Sequence, residues 1–439
     1  MTRKVAFCTL GCKVNQADSA AMEHLFQQAG YEIVPFTEPA EICVINTCVV
    51  TNTGQHKSRQ MINRAVRNNS GAFVVVTGCY PQTAAAEVKA LPGVDLIIGT
   101  QDRRNIVTLV EEGLAQKQGG DAVHQFTSQT AFEELPGGNE ENKTRAYLKI
   151  QEGCNQFCTY CIIPYARGPL RSRSLSSIRR EVEQLVAAGY KEIVLIGIHL
   201  GCYGQEITDA TPGTKATLYD AVQAALSVPG LDRLRLGSLE SVEVEDRLLD
   251  LMQKDPRFCP HLHLPLQSGC DKILSAMHRP YDTARFKQLL AQIRRKVPGI
   301  AITTDVIVGF PGETEEDFLA TCALVQECQF AKMHIFPYSV RQGTPAAAYP
   351  AKVTEAVKEE RARRLAVLDR QMHQHYLQQQ VGRTLQVLVE QPAPEGQVEG
   401  LTGNYQRVFF PGPAAWAGKI ISVQITGVQG DKLQGIPLI

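Results

Sequence analysis

Through the first quarter of the chain, short unbroken apolar runs alternate with stretches in which apolar residues recur every three or four positions. "KVAFCTL", "YEIVPF", "EICVINT", "AFVVVTG" and "VDLIIG" read as strands buried on both faces. Residues 17–29, 55–67 and 103–114 carry helical spacing. Such alternation predicts a mainly parallel sheet with helices on both sides. Residues 116–143, Gly-rich and polar, break the pattern and are expected to form a linker.

A second alternation follows. "AYLKIQE", "EIVLIGI", "DRLRLGS", "HLHLPL", "AITTDVIVGF" and "KMHIFPYS" each precede a helix-like segment. Repeated βα units predict an open or closed barrel, with its chemistry at the C-terminal ends of the strands. A Lys/Arg/Glu-rich helix over 353–380 closes this part. Five short runs from 384 onward, separated by Gly, Asn and Pro, predict a small β-barrel. The expected organisation is an α/β N-terminal domain (1–115), a linker (116–143), a partial βα barrel (144–374) and a C-terminal β-barrel (375–439).

Composition changes this picture in two ways. Thirteen cysteines, an odd number, with no apolar signal segment in "MTRKVAFCTLGCK", predict a reducing, cytoplasmic setting in which thiols are free or bind metal. The longest apolar runs fall short of the roughly 18 residues that span a bilayer, so no membrane association is expected. Forty-five basic residues balance 45 acidic ones, so any nucleic-acid contact must rest on local patches.

The chemistry concentrates in "GCNQFCTYCIIP", from Gly153 to Pro164, directly after the first barrel run. Cys154, Cys158 and Cys161 stand in a polar loop rather than on a core face. Structural zinc wants four ligands, usually as two paired knuckles, and the chain has no second Cys-x-x-Cys. Three thiolates around a cuboidal iron-sulfur cluster fit better and leave one iron open. Cys12, Cys48 and Cys79 each follow a predicted strand, so all three should emerge on one sheet edge, where open α/β sheets gather ligands. They are either a second metal site or separate residues of that edge.

"CNQFCTYC" resembles the Cys-x-x-x-Cys-x-aromatic-Cys signature of the radical S-adenosylmethionine superfamily. The resemblance implies that the three cysteines hold a 4Fe-4S cluster, that its open iron binds S-adenosylmethionine, and that reductive cleavage yields a 5′-deoxyadenosyl radical. It also implies that Tyr160 touches the adenine; Phe157 is expected simply to pack. "TLGCKVNQADSAAM", "INTCVVT" and "TGCYPQ", with the radical motif and a small β domain in the same order, resemble the methylthiotransferases over nearly the whole chain. That implies an auxiliary 4Fe-4S cluster on Cys12, Cys48 and Cys79 and a C-terminal RNA-binding TRAM domain. It further implies a low-potential electron donor as partner.

Three substrates occur in the family: threonylcarbamoyladenosine in tRNA, isopentenyladenosine in tRNA, and an aspartate of a ribosomal protein. "GCKVNQADS" and "EGCNQFCTYCIIPYARG" most resemble the first branch, which methylthiolates C2 of the modified adenosine in the tRNA anticodon stem-loop. A metal-containing RNA-binding protein without activity is the rival from another class.

Gly197 and His199 end the second barrel strand, where the resemblance implies contact with the methionine amino group and turn chemistry is an equal reading. Glu240, Gln267 and Asp305 fall near later strand ends; they face cofactor or substrate, or are polar groups satisfied by backbone. His261 and His263 share a strand face without a third ligand nearby in sequence, which gives no metal site. Cys8 and Cys43 are expected in the core, and Cys202 and Cys270 as bystanders. The basic run Lys143, Arg145, Lys149, Arg167, Arg171, Arg173, Arg179 and Arg180 is read as a solvated face or a phosphate contact. Tyr405, Phe409, Phe410 and Trp416 are candidates for base stacking or for core packing.

Overall fold

The computed structural model describes residues 2–438 except 70, 117, 118, 128, 138–143 and 207–214. The N-terminal domain is built from strands β1 (Lys4–Thr9), β2 (Glu32–Val34), β3 (Ile42–Thr47), β4 (Phe73–Gly78), β5 (Leu96–Ile98) and β6 (Gly120–Ala122). They form one parallel sheet in the order β2-β1-β3-β4-β5-β6. Helices α1 (Lys13–Gln28), α2 (Asn52–Asn68), α3 (Cys79–Lys89) and α4 (Ile106–Gln116) cover it. Each apolar run splits by the strand period of two. Ala6, Cys43, Ile45, Val74, Val76 and Ile97 enter one core, while Val5, Ile42, Val44, Val75, Leu96 and Ile98 enter the other. Cys43 is thus a core residue, and Cys8 packs at the edge of the same core.

The stretch read as a linker is not one throughout. It supplies β6, and its later part straps the two domains together: Glu133 pairs with Arg103 at 2.9 Å, and Phe126 lies under the Arg171 guanidinium. Glycine and polar residues masked a strand that is only three residues long.

The central domain begins with β7 (Arg145–Lys149), the ribbon strands β8 (Gln151–Glu152) and β9 (Arg171–Ser172), and helices α5 (Ile163–Arg167) and α6 (Leu175–Ala187). It continues through β10 (Glu192–Ile196), α7 (Leu218–Leu226), β11 (Arg233–Leu236), α8 (Asp246–Lys254), β12 (His261–His263), α9 (Asp271–Ala276), α10 (Thr283–Lys296), β13 (Ala301–Val308), α11 (Glu315–Cys328), β14 (Lys332–Pro337) and α12 (Glu355–Gln378). Two parallel sheets, β11-β10-β7 and β12-β13-β14, are joined by single bridges at Leu234–Phe258 and Ser238–His263. The result is a six-stranded partial barrel. One continuous core, from Leu148 and Ile193 to Phe318 and Leu365, binds its strands to the outer helices.

At the C-terminus β15 (Thr384–Ala393), β16 (Gln397–Thr402), β17 (Arg407–Pro411), β18 (Ile420–Gln429) and β19 (Lys432–Pro437) close a barrel in the order β15-β16-β17-β19-β18. It docks beneath the βα barrel. Arg233 and Arg235 of β11 donate to the carbonyls of Leu401 and Gly403 at 2.9 Å each, and Arg145 of β7 pairs with Glu390 at 2.7 Å. These arginines lie at or near the starts of their strands, so the small barrel closes the end opposite the cysteine loop. No helix of the described residues is long and apolar enough to cross a membrane.

Candidate metal centres and active site

Cys12, Cys48 and Cys79 follow β1, β3 and β4, which are neighbours in the sheet and run parallel. The register aligns Thr9 with Asn46 and Thr47 with Gly78, so the three chain exits lie side by side on one edge. Asn15 fastens this edge, donating to the carbonyls of Leu10 (2.7 Å) and Thr47 (3.0 Å). Gly11, at φ +108°, lets the Cys12 turn approach Cys48; a Cβ there would lie 2.9 Å from Asn15 Nδ2 and 3.0 Å from Cys48 Cβ.

The second trio lies on the loop between β8 and α5. Gly153 opens it at φ +81°, where a Cβ would stand 1.8 Å from the Pro169 carbonyl oxygen. Thr159 pins its middle, donating from N to the Met277 carbonyl (3.1 Å) and from Oγ1 to that of Ala276 (2.8 Å). Tyr160 packs into the apolar cluster of Ile273, Met277, Phe310 and Tyr338. Phe157 does not pack as expected: it is 49% exposed, holds φ +48°, and meets only Tyr165 edge-on among the described rings. A polar loop wrapped around the three thiols leaves it no core to enter.

The donor sets suit clusters better than single ions. Each trio offers three free thiols, the all-sulfur donor set that iron-sulfur clusters take. Burial pushes the Cys79 thiol up to about 11 and the Cys161 thiol up to about 12, with Arg167 beside Cys79 acting in the opposite sense. Holding them as thiolates therefore calls for positive charge beyond that of the side chains, which metal supplies.

Residues around the loop are tied to its sulfurs. His199 Nδ1 lies 3.4 Å from Cys154 Sγ, and its Nε2 faces Glu243 at 2.5 Å. Burial pulls the His199 pKa down, but Cys154, Cys202 and Glu243 together raise it well above the usual range. Cys202 therefore touches a residue of the site rather than standing apart, whereas the Cys270 thiol donates to Asp317 at 3.2 Å and packs against the apolar cluster that also receives Tyr160. At Gly197 a Cβ would press on Gln151, whose side chain receives the His199 N–H (2.7 Å) and donates to the Gly153 carbonyl (2.9 Å). Glu240 pairs with Arg279, and Arg279 Nη1 lies 3.2 Å from Cys158 Sγ. Gln267, at φ +65°, bridges to Val306. Asp305 sits mid-strand in β13, not at its end, and faces His263 Nε2 at 3.2 Å.

Three features lay outside the sequence reading. Arg279 had no motif to announce it. His263 does have polar partners, because Asp305 and His334 arrive from the adjacent strands β13 and β14 and bring their ligand atoms within 4.8 Å of one another. Most of the basic run is not a surface: Arg145, Lys149, Arg167, Arg171 and Arg173 are buried, whereas Arg179 and Arg180 are exposed and Lys143 lies outside the described residues. Lys149 meets Asp18 at 2.5 Å and Glu152 at 2.9 Å; Arg103 meets Glu152 at 3.2 Å; Arg167 meets Asp18 at 3.1 Å. This network clamps α1 of the N-terminal domain to the barrel. The clamp sets the two trios toward each other, with Arg167 Nε 3.3 Å from Cys79 Sγ. At the other side, Arg341, just beyond β14, donates to the Val49 carbonyl at 2.9 Å, so the Cys48 turn sits over the barrel mouth.

Three family models match: an uncharacterized family, UPF0004, over residues 4–99, the radical SAM superfamily over 148–325 and the TRAM domain over 378–438. A threonylcarbamoyladenosine tRNA methylthiotransferase of Bacillus subtilis is 44% identical over 96% of this chain and 93% of its own length. The chain belongs to the radical S-adenosylmethionine methylthiotransferase family. It is an enzyme of that class, whose members use a 4Fe-4S cluster and S-adenosylmethionine. A tRNA-2-methylthio-N(6)-dimethylallyladenosine synthase of Moorella thermoacetica is 36% identical over 97% of this chain and 96% of its own length. In fold, the methylthiotransferase resembles the radical S-adenosylmethionine methyltransferase TsrM of Kitasatospora setae, with a TM-score of 0.56 at 16% identity over 91% of this chain and 81% of that one.

Proposed function

We propose that this methylthiotransferase acts on tRNA, placing a methylthio group at C2 of threonylcarbamoyladenosine in the anticodon stem-loop. The observation that carries the two-centre reading is the convergence of Cys12, Cys48 and Cys79 on one sheet edge, clamped over the barrel that bears Cys154, Cys158 and Cys161. When bound, a cluster on the barrel trio supplies the electron that cleaves S-adenosylmethionine, and one on the N-terminal trio presents the sulfur to be transferred. The chain's own residues do the positioning. Tyr160, packed on Ile273 and Met277, would contact the adenine, Gln151 and His199 fix the β10 turn, and Arg279 with Glu240 orients Cys158. The clamp formed by Asp18, Lys149, Glu152 and Arg167 keeps the two centres at a fixed approach, which supplies the proximity the transfer needs.

The substrate assignment is supported by identity. The relative named for threonylcarbamoyladenosine shares 44% of its residues with this chain, against 36% for the Moorella relative named for dimethylallyladenosine. RNA contact is supported by the TRAM match; Tyr405, by contrast, is turned inward onto Arg235 of the βα barrel. Phe410 is a core residue, and Trp416 packs on it. Mass spectrometry of tRNA nucleosides from a strain lacking the gene tests the proposal. Loss of methylthio-threonylcarbamoyladenosine with retention of the dimethylallyl product supports it; the reverse pattern identifies the other branch.

A further inference from the structure

Tyr405 is held where its ring meets an excess of positive charge. The residue adopts φ +67°, an uncommon conformation for a side chain of this size. A closed set of hydrogen bonds fixes it there: Thr402 Oγ1 to Asn404 Oδ1 at 2.6 Å, Gln406 N to Thr402 Oγ1 at 2.8 Å, and Asn404 Nδ2 to Tyr376 Oη at 3.0 Å. Arg235 lies 4.4 Å from the ring centroid, Lys13 Nζ and the Arg145 guanidinium 5.7 Å each, and the His261 ring 4.9 Å. Arg145, Arg233 and Arg235 share Glu192, and Arg145 also reaches Glu390. Four cations, with Lys13 the fourth, thus meet two carboxylates. Lys13 makes no ion pair or hydrogen bond among the described residues.

Two nitrogens in this group are buried without a hydrogen bond, but Arg145 Nε faces Glu192 Oε1 at 3.5 Å, so His261 Nδ1 is the one without a polar partner among the described residues. His261 is only 4% exposed. Its Nε2 is occupied by Thr303 Oγ1 at 3.2 Å, which also meets His263 Nδ1 at 2.9 Å, while Asp305 holds His263 Nε2. That chain leaves Nδ1 open. Because the Thr303 hydroxyl can point either way, His261 Nδ1 either donates or accepts, and a hydroxyl partner suits both senses. An unpaired Lys13 ammonium and a buried, unpaired His261 Nδ1 are both unfavourable without a partner, so the cluster suits a ligand that brings an anion and a hydroxyl. Lys13 directly follows Cys12, so its side chain reaches the cluster from the N-terminal cysteine edge, while Tyr405 forms the floor at the far end of the barrel.

We propose that Lys13, Arg145 and His261, grouped on Tyr405, form a subsite for the hydroxy-acid end of the substrate's N6 substituent. Its carboxylate lies against Lys13 and Arg145, and its hydroxyl against His261 Nδ1. This rests on the threonylcarbamoyl reading above and adds the means of discrimination. A dimethylallyl group carries neither carboxylate nor hydroxyl, and would leave Lys13 and His261 Nδ1 without a partner.

The test uses the full-length, anaerobically reconstituted protein and three synthetic anticodon stem-loops. They carry threonylcarbamoyladenosine, the same nucleoside with its carboxylate converted to carboxamide, or dimethylallyladenosine. Dissociation constants are read by fluorescence anisotropy at fixed salt, and methylthiolation by mass spectrometry. The wild type is expected to bind the carboxylate loop about tenfold or more tightly than the carboxamide loop. Lys13→Gln and His261→Phe, both checked for wild-type iron content, each shrink that ratio toward unity by weakening the carboxylate loop selectively. Equal binding of the two loops by a wild type that methylthiolates the first overturns the subsite and leaves the proposed function standing. Equal loss of affinity for both loops in both variants also overturns it. No methylthiolation of the threonylcarbamoyl loop overturns the substrate reading, and the subsite with it.

Discussion

Arg167 Nε lies 3.3 Å from Cys79 Sγ, although one residue ends the helix after the radical loop and the other opens a helix of the N-terminal domain. The same guanidinium pairs with Asp18 and Glu152 and donates to Asn15, which fastens the Cys12 and Cys48 turns. Placement of one cysteine trio is therefore set by the chain segment that follows the other.

Replacing that guanidinium should loosen both folding and metal binding. Arg167→Met leaves Asp18 and Glu152 buried beside fewer cations, a loss of about 3–5 kcal/mol for a broken buried network. Denaturant titration with iron analysis checks it. The expected result is a lower midpoint with iron lost chiefly from the N-terminal site; wild-type stability would mean that the network is not a clamp.

Gly153→Ala tests the radical loop by its backbone. The left-handed φ costs a side chain about 1–2 kcal/mol, and the added Cβ meets the Pro169 carbonyl oxygen, so the loop must rebuild. Iron should fall to about half of the wild-type content, as expected for losing one of two clusters, and 5′-deoxyadenosine formation should stop. Full iron content in this variant would show that the loop tolerates a different path.

Much of this architecture was legible from apolar patterning. The N-terminal strands are short enough and apolar enough to be recognised as doubly buried, and the positions of Cys12, Cys48 and Cys79 just after them imply a common edge, which β1, β3 and β4 provide. The burial of Arg145, Lys149, Arg167, Arg171 and Arg173 was not legible. A basic run looks the same whether water or carboxylates from elsewhere surround it, and Asp18 lies more than a hundred residues from Lys149. His263 shows the same limit: strand register, not sequence spacing, brings Asp305 and His334 to it. Strand β6 was hidden because three residues of Gly, Asp and Ala carry no strand signal.

Glu192 makes the docking of the small barrel sensitive to acid. Burial raises its pKa, but Arg235, Arg145 and Arg233 outweigh burial and hold it at about 2, below its ordinary 4.5. A carboxyl depressed in the folded state adds stability above its unfolded pKa and loses it as pH falls toward the folded value. The contribution is about 3 kcal/mol at neutral pH. Stability measured across pH should therefore fall between about 4.5 and 2 more steeply in the wild type than in Glu192→Gln. Parallel curves for the two proteins would remove Glu192 from this role.

On the proposed function, the two cysteine trios carry separate steps. The most direct measurement follows 5′-deoxyadenosine by chromatography and methylthio transfer to tRNA by mass spectrometry, in reduced, reconstituted Cys48→Ala and Cys158→Ala proteins. The Cys48→Ala protein is expected to cleave S-adenosylmethionine yet transfer no methylthio group, and the Cys158→Ala protein to do neither. Full methylthiolation by Cys48→Ala would overturn the two-centre reading, because it would reduce the N-terminal thiols to a structural role.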